Sequence, residues 1–179
     1  LSHDIHECAK QHLDKHCVKM ILEYAQLLST AHRVLDGNPI VALSKTNRKQ
    51  TRYVLSDDRE SIMYSATHIN HPSAIWVRQS DSNYQWLATL LDELCKEYTH
   101  RYGKVHKVER DGLSKTLLLN RPLNIHQAEF VEPTPAMPDE YKVKGSSIDS
   151  YRKYYLNAKS HMFAWTKRNI PEWIEYANL

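Results

Sequence analysis

The sequence predicts a mainly α-helical fold in which residues 1–179 form a single domain. Apolar side chains recur every three or four residues in two long segments, 11–33 and 80–103, as they do on the buried face of a helix. A length of 179 residues suits one hydrophobic core. Prolines gather in one stretch, 120–147. We therefore expect a compact fold with a long first helix, a second amphipathic helix and an extended Pro-rich arm.

The first helical pattern begins at a capping-box-like pair, Asp4 and Glu7, and ends at Gly37. Whether one or two helices fill it stays open. At about 100° per residue, apolar side chains cover most of the circumference of segment 11–33, which predicts a mostly buried helix with one narrow polar strip. The strip consists of His12, His16, Lys19, Glu23, Gln26, Thr30 and Arg33.

The rest of the chain alternates short helical patterns with irregular segments. Residues 38–55 form either a basic loop or a hairpin, and we favour the loop. Asn70 is a candidate cap, and Pro72 suits a first helical turn. Further helices are predicted in segments 56–69, 70–80, 80–103, 108–119, 146–168 and 171–176.

Composition narrows the class of protein. The net charge of +3 permits binding to nucleic acid without requiring it. The three cysteines, Cys8, Cys17 and Cys95, lie far apart, so neither a disulfide framework nor a zinc knuckle is indicated. The sequence has no apolar run of membrane-spanning length and no signal-peptide pattern, which predicts a cytoplasmic protein.

The polar strip allows two interpretations. Its first four residues follow steps of four, three and four, so neighbouring side chains lie within reach of each other. The strip is either the wet edge of a buried helix, with Lys19 and Glu23 as an ordinary ion pair, or the floor of a cleft. In a cleft, partial burial would move the pKa values of an acid and an amine towards neutrality. The candidate catalytic residues are Glu23, Lys19, Lys15, His12 and His16.

A metal-dependent hydrolase is a further alternative, because His12 and His16 have the i,i+4 spacing of two ligands on one helical face. The H-E-x-x-H pattern is absent, and a third ligand would have to be Glu23 or His71. We therefore predict neither a metal nor a cofactor.

Three stretches carry the cations and rings that nucleic-acid binding needs. They are the basic segment 45–52, the stretch NHPSAIWVR and the aromatic-basic region that starts at SYRKYY. Rings stack on bases and cations meet phosphates, so these stretches predict double-stranded DNA as the partner. The candidate DNA-binding residues are His71, Arg78, Arg48, Lys49, Arg52, Tyr151, Arg152, Lys153 and Lys167.

Several of these stretches give the chain a family resemblance. QHLDK and ILEYAQLLSTA in the first helix, NHPSAIWVR, HRYGK and YRKYY follow in matching order. In them the chain resembles the pyrimidine-dimer DNA glycosylases, the small phage-type repair enzymes also called endonuclease V of the excision class. The resemblance implies a helical single domain with N-glycosylase and AP-lyase activity on damaged pyrimidines, in the cytoplasm of a bacterial host if phage-encoded. We favour a monomer.

The resemblance also assigns roles. In the family an amine attacks the deoxyribose C1′ and a helix glutamate supports that step. Glu23 matches the glutamate, His12 a histidine that lines the site, and Lys19 a cation beside the glutamate. Three cations, Arg78, Arg152 and Lys153, would face phosphates.

The family's nucleophile is the amine at the mature N-terminus, whereas this sequence begins Leu1, Ser2, His3. Three explanations stay open. Residues precede Leu1, Lys15 or Lys19 replaces that amine, or the lyase chemistry is lost. Segments 38–55 and 120–147 lie outside the resemblance, and a non-catalytic DNA-binding relative that uses the same cleft is the main alternative function.

Overall fold

The computed structural model describes residues 1–44 and 46–175, and this part of the chain is mainly helical. A two-stranded sheet joins β1 (Asn38–Leu43) to β2 (Lys49–Val54). Short non-α turns occupy Asp139–Tyr141, Tyr155–Lys159 and Ser160–Met162. The helices are α1 (Ile5–Gln11), α2 (Asp14–Asp36), α3 (Arg59–Ile62), α4 (Pro72–Val77), α5 (Asp81–Tyr102), α6 (Lys107–Arg110), α7 (Leu113–Leu119), α8 (Ser147–Tyr154) and α9 (Glu172–Glu175).

The first helical pattern contains two helices, α1 and α2. Asp4 caps α1 as predicted, because its Oδ1 accepts from the Glu7 amide at 2.8 Å. The chain becomes extended at His12 and Leu13, between the helices. Arg101 on α5 binds the chain at this break, because its guanidinium donates to the carbonyls of Lys10 and His12 at 2.8 Å each.

The predicted polar strip of α2 does not exist as a continuous edge. In the first half of the helix, Val18 and Leu22 are 42% and 41% exposed, so apolar side chains share the wet face. In the second half, Thr30 and Arg33 are buried. The prediction was wrong because α2 is buried on every side at residues 28–33, whereas its first half exposes one face that includes apolar side chains.

The second long helix, α5, forms as predicted. Ser80 caps it by accepting from the Asn83 amide, and Gly103 ends it in the left-handed conformation at φ 64°, which glycine adopts without strain. It packs against α1, α2 and α7. The periodic apolar positions that are buried include Tyr84, Leu87, Leu91, Leu94 and Cys95.

Residues 38–55 form a hairpin, so the preference for a loop was wrong. Its antiparallel register runs from Asn38 opposite Val54 to Leu43 opposite Lys49. Side chains near the tip are exposed on both strands, so the buried alternation that usually identifies strands is missing. Lys45, which belongs to the basic segment 45–52 of the sequence, lies outside the described residues.

The predicted helix over 56–69 is a single turn, α3. The side chain of Arg33 explains why it stops. Its guanidinium donates to the carbonyls of Glu60, Met63 and Tyr64. The carbonyls of Met63 and Tyr64 follow α3 and bind the buried guanidinium, so the chain leaves the helix there.

The remaining helical segments are shorter than predicted. Gly112, at φ 80°, separates α6 from α7 within 108–119. Segment 146–168 is helical only as far as Met162, through α8 and the two turns that follow it. The last segment forms α9, and Tyr176 lies outside the described residues.

The Pro-rich stretch is an extended arm held against the helices. Asp36 at the end of α2 accepts from the amides of Leu123 and Asn124. On α5, Asn83 Oδ1 accepts from the Val131 amide at 2.9 Å. The arm has no neighbouring strand to pair with, so side chains of α2 and α5 accept its backbone hydrogen bonds instead.

None of the helices described here is both long and apolar enough to cross a membrane.

Candidate functional site

Three histidine–tyrosine pairs, with their rings edge to face, lie along or beside α2. In each pair a ring nitrogen of histidine lies within hydrogen-bonding distance of the tyrosine hydroxyl. The pairs differ in what the other ring nitrogen contacts. They are His12–Tyr24, His16–Tyr155 and His32–Tyr84.

His12, a predicted catalytic residue, is buried and fully hydrogen-bonded. Its Nδ1 lies 2.7 Å from the Cys8 carbonyl oxygen and its Nε2 lies 2.9 Å from the Tyr24 hydroxyl. Burial lowers the pKa of His12 to about 4, so the ring is neutral at pH 7. Both nitrogens are used, which makes the ring a structural link between α1 and α2.

His32, which sequence analysis did not single out, has the same character. Arg59 donates to its Nδ1 at 2.9 Å, and its Nε2 bonds the Tyr84 hydroxyl at 2.8 Å. Burial lowers the pKa of His32 to about 4, and the charge of Arg59 acts in the same direction.

His16 differs from the other two because its ring is only partly buried. Its Nδ1 lies 2.6 Å from the Tyr155 hydroxyl, while its Nε2 has no hydrogen-bond partner in the described part of the chain. Burial lowers the pKa of His16 to about 4, helped by Lys159 and Lys19 and opposed by Glu23. A neutral imidazole with one available nitrogen thus lies close to two amines and a carboxylate.

The predicted amine and carboxylate of α2 contact each other at the surface. Lys19 Nζ lies 3.0 Å from Glu23 Oε1, and the two side chains are 66% and 40% exposed. Lys15 is exposed as well. The structure therefore brings Lys19, Glu23 and His16 together on one face of α2, while His12 lies beneath the surface.

The metal alternative lacks ligands. No group of three or more His, Cys, Asp or Glu side chains in the described ranges is arranged to hold an ion. Both nitrogens of His12 are engaged by the protein. His71, a suggested third ligand, instead caps α4, where its Nδ1 accepts from the Ser73 amide at 3.2 Å.

Several predicted DNA contacts have structural partners. Arg78 donates to the carbonyls of Ile69 and Ala74. His71 is the cap of α4, so the assignment of that role to Asn70 was wrong. Tyr151 is half-buried, and its hydroxyl accepts from the Ala136 amide. Lys153 is exposed and donates to the Glu140 carbonyl.

The remaining basic residues lie in two places. The first is a cleft of about 910 Å³ between α1 and the C-terminal segment, lined by Arg152 and Lys167 among others. The second is the hairpin, where Arg48, Lys49 and Arg52 are all exposed. These two places are separate because the hairpin follows the end of α2, whereas α1 precedes its start. At 1.5 Å per residue, the two ends of α2 are about 30 Å apart.

The hairpin is strongly cationic for its length. Segment 38–55 contains four basic residues and no acidic one, against a net charge of +3 for the whole sequence. The three basic residues that the structure describes form no ion pair with any described carboxylate. Arg52 lies close enough to Glu60 to contribute to lowering the pKa of that carboxyl, after the Leu55 amide and Arg33.

Sequence analysis missed the partners that complete these sites. Tyr155 and Lys159 lie within the predicted helical segment 146–168, but nothing in the sequence indicates that both interact with His16. Gln11, in the cleft wall, accepts from the Trp173 indole at 3.2 Å. Only the chain's path after α8 brings these residues together, and no local pattern reports it.

Comparison with known proteins adds no family. No protein-family model, curated protein or solved structure shows significant similarity to this chain.

Proposed function

We propose that this protein binds double-stranded DNA through its hairpin. The observation that carries the proposal is a two-stranded ribbon whose described part has three exposed basic residues, no acidic residue and exposed side chains on both strands. Cations without carboxylate partners remain available to phosphates, whose binding releases counterions and supplies most of the affinity of basic proteins for DNA.

The charge of the hairpin favours nucleic acid over a second copy of the chain. The outer edge of β1 is unpaired in the two-stranded sheet, and Val41 and Leu43 on that strand are 74% and 62% exposed. Such an edge is a site for strand addition. Pairing two hairpins would bring like charges together, whereas DNA phosphates neutralise them.

The shape of the hairpin favours DNA over RNA duplexes. A two-stranded ribbon fits the major groove of B-form DNA, which is about 12 Å wide. The major groove of A-form RNA is too deep and narrow for side chains to enter. An RNA duplex should therefore bind more weakly than DNA of the same sequence.

The base of the hairpin is held firmly on α2. Arg33, itself buried, donates to the Tyr53 carbonyl at 2.9 Å. Glu60 accepts from the Leu55 amide at 2.8 Å. Gly37 permits the close approach, since a Cβ there would lie 2.5 Å from the Arg33 carbonyl oxygen. A hairpin fixed in this way loses little conformational entropy on binding.

Salt dependence tests the proposal. The affinity of the protein for a short DNA duplex is measured over a range of salt concentrations. Arg48, Lys49 and Arg52 are then changed together to Gln. If each contacts one phosphate, the slope of log K against log salt becomes shallower by about 2.7. An equal change to Gln at three exposed lysines outside the hairpin, Lys104, Lys115 and Lys144, is the matched control.

The proposal fails if both triple variants change the slope equally, because the hairpin would then have no special role. It fails too if an RNA duplex binds as tightly as DNA. Circular dichroism of each variant checks that the helices are retained.

A second candidate function, base excision through an amine, is favoured by one observation at the start of α2. His16 has an unpartnered Nε2 and a lowered pKa beside Lys19, Lys159 and Glu23. The unpartnered Nε2 of His16 can accept a hydrogen bond from a nearby amine and orient it, and that amine must be neutral to attack a sugar carbon. A carboxylate there would stabilise the electron-poor sugar after the base departs.

Borohydride trapping tests the second candidate. The protein is incubated with ultraviolet-irradiated and with abasic duplexes, and the N-terminus of the sample is sequenced. An iminium intermediate would be reduced to a covalent adduct, and mass spectrometry would identify the amine. Lys19→Arg and Lys159→Arg keep the charge but remove the nucleophile. Absence of an adduct on both duplexes would leave DNA binding as the function.

A further inference from the structure

The cleft between α1 and the C-terminal segment has an excess of available positive charge. Four basic residues line it, but Lys10 pairs with Glu7, and Arg168 pairs with Glu97. The other two, Arg152 and Lys167, donate only to backbone carbonyls and form no ion pair with a described carboxylate. Glu172, exposed in the same wall, offsets part of this charge.

The geometry of these two cations leaves donors free. Arg152 uses Nε and Nη2 on the Leu1 carbonyl, at 3.1 and 2.7 Å, while Nη1 has no hydrogen-bond partner in the described ranges. Lys167 is held in the left-handed region at φ 57°, a conformation that costs energy for a lysine. Its amine donates once, to the His100 carbonyl at 3.2 Å, which leaves two N–H donors.

The same wall presents a ring and amides. Arg152 stacks on the Trp173 indole, with its guanidinium carbon 5.5 Å from the ring centre. Gln11 accepts from that indole through Oε1, so its amide nitrogen is left as a donor in the described structure. Asn169 lines the cleft as well. Rings, amides and cations in one cleft are what recognition of an unstacked base and its phosphate requires.

We infer that this cleft binds one nucleotide, with the phosphate on Arg152 and Lys167 and the base against Trp173. A volume of about 910 Å³ is sufficient, since clefts of roughly 300 to 1,000 Å³ enclose ligands of this size. The nucleotide is either free or part of a strand. The inference deepens the proposed function, but it depends on a different part of the molecule from the hairpin.

Calorimetric titration with thymidine monophosphate, thymidine and inorganic phosphate tests the inference. The monophosphate should bind more tightly than either fragment, because only it meets both the cations and the ring. Lys167→Asn should weaken that binding about tenfold, the loss of one charge-assisted hydrogen bond. Asparagine tolerates the left-handed conformation, so the variant removes the charge without adding strain.

Lys115→Gln is the matched control, because it removes an exposed cation that is not part of the cleft lining. It should leave the affinity for the monophosphate unchanged. The inference is overturned if the native protein does not bind the monophosphate, if phosphate alone binds equally well, or if Lys167→Asn binds like the native protein.

The hairpin variant separates this inference from the proposed function. With Arg48, Lys49 and Arg52 changed to Gln, duplex affinity should fall while the affinity for the monophosphate stays the same. A loss of both would contradict two independent sites. Competition by a short single strand would assign the cleft to a nucleotide within a strand, and its absence would assign it to a free nucleotide.

Discussion

Two groups of arginines in this protein, Arg101 with Arg33 and Arg48 with Arg52, differ in what surrounds them. Arg101 has a fully buried side chain and binds two carboxylates and two backbone carbonyls. Arg33 is nearly as buried and binds Glu60 and four carbonyls. Arg48 and Arg52 on the hairpin are exposed and have no ion pair within the described structure.

The difference shows why a basic sequence motif does not by itself identify a nucleic-acid contact. A guanidinium whose donors are all satisfied inside the protein stabilises the fold and cannot bind phosphate without breaking those bonds. Arg78 is a mixed case. The motif NHPSAIWVR suggests an anion contact, but the side chain is half-buried and its Nη1 donates to the Ile69 and Ala74 carbonyls, while Nε and Nη2 have no hydrogen-bond partner in the described structure. Exposure together with available donors, rather than charge alone, distinguishes the two groups.

The largest expected effect concerns Arg101. Its substitution by Met should cost about 3 to 5 kcal/mol of unfolding free energy, because Glu97 and Asp14 lose their shared buried partner. Urea unfolding measures the loss. Arg110→Met, at a side chain that is 64% exposed, is the control and should change stability by less than about 1 kcal/mol. Equal effects at the two positions would remove the distinction between the groups.

The second effect is a loss of stability in mild acid. Burial lowers the pKa values of His12 and His32 to about 4, from a usual value near 6.5. The folded state therefore favours neutral rings. The contribution of these two rings to the stability of the fold is complete above pH 6.5 and is lost as the pH falls towards 4. From pH 7 to pH 5 each ring should cost about 2 kcal/mol of unfolding free energy.

His32→Gln tests that origin. The Gln carbonyl can accept from Arg59 and its amide can donate to Tyr84, but the side chain does not titrate. Urea unfolding of this variant at pH 7 and pH 5 should show a loss about 2 kcal/mol smaller than that of the native protein. An unchanged loss would show that His32 is not the group responsible.

How much of this was predictable depends on whether a pattern is local. Ser80, Gly103 and the apolar spacing of α5 identify that helix because caps and periodicity act within a few residues. The end of α3 was unpredictable, since Arg33 lies more than 20 residues before it and takes its carbonyls. The hairpin lacked a pattern because both of its faces are exposed near the tip.

The candidate sites follow the same rule. Their cations were visible in the sequence, where Arg152 and Lys167 were named as candidate DNA contacts, and the structure places both in the lining of one cleft. Their availability was not visible, because it depends on which carbonyls the chain brings to each guanidinium or amine. Tertiary contacts thus decide whether a cation in a sequence motif is available to bind a phosphate.

A third effect separates two cations that sequence analysis treated alike. Arg78→Gln should lower the unfolding free energy by about 1 to 3 kcal/mol, because two carbonyls lose a charged donor. It should leave the salt slope of DNA binding unchanged. Arg52→Gln should instead leave stability almost unchanged and make the salt slope of DNA binding shallower by about 0.9. Thermal unfolding and duplex titration measure both quantities. A changed slope for Arg78→Gln would contradict the division.

The smallest expected effect on stability lies at Glu23, a half-exposed carboxylate that pairs with the exposed amine of Lys19. Glu23→Gln should lower the unfolding free energy by a few tenths of a kcal/mol, as for other surface pairs four residues apart. The amide keeps the shape and should leave duplex affinity unchanged. If base excision occurs beside His16, however, the loss of the carboxylate should slow strand cleavage of irradiated DNA about 10²- to 10⁴-fold. Cleavage by Glu23→Gln at the native rate would show that this carboxylate has only its surface ion pair with Lys19.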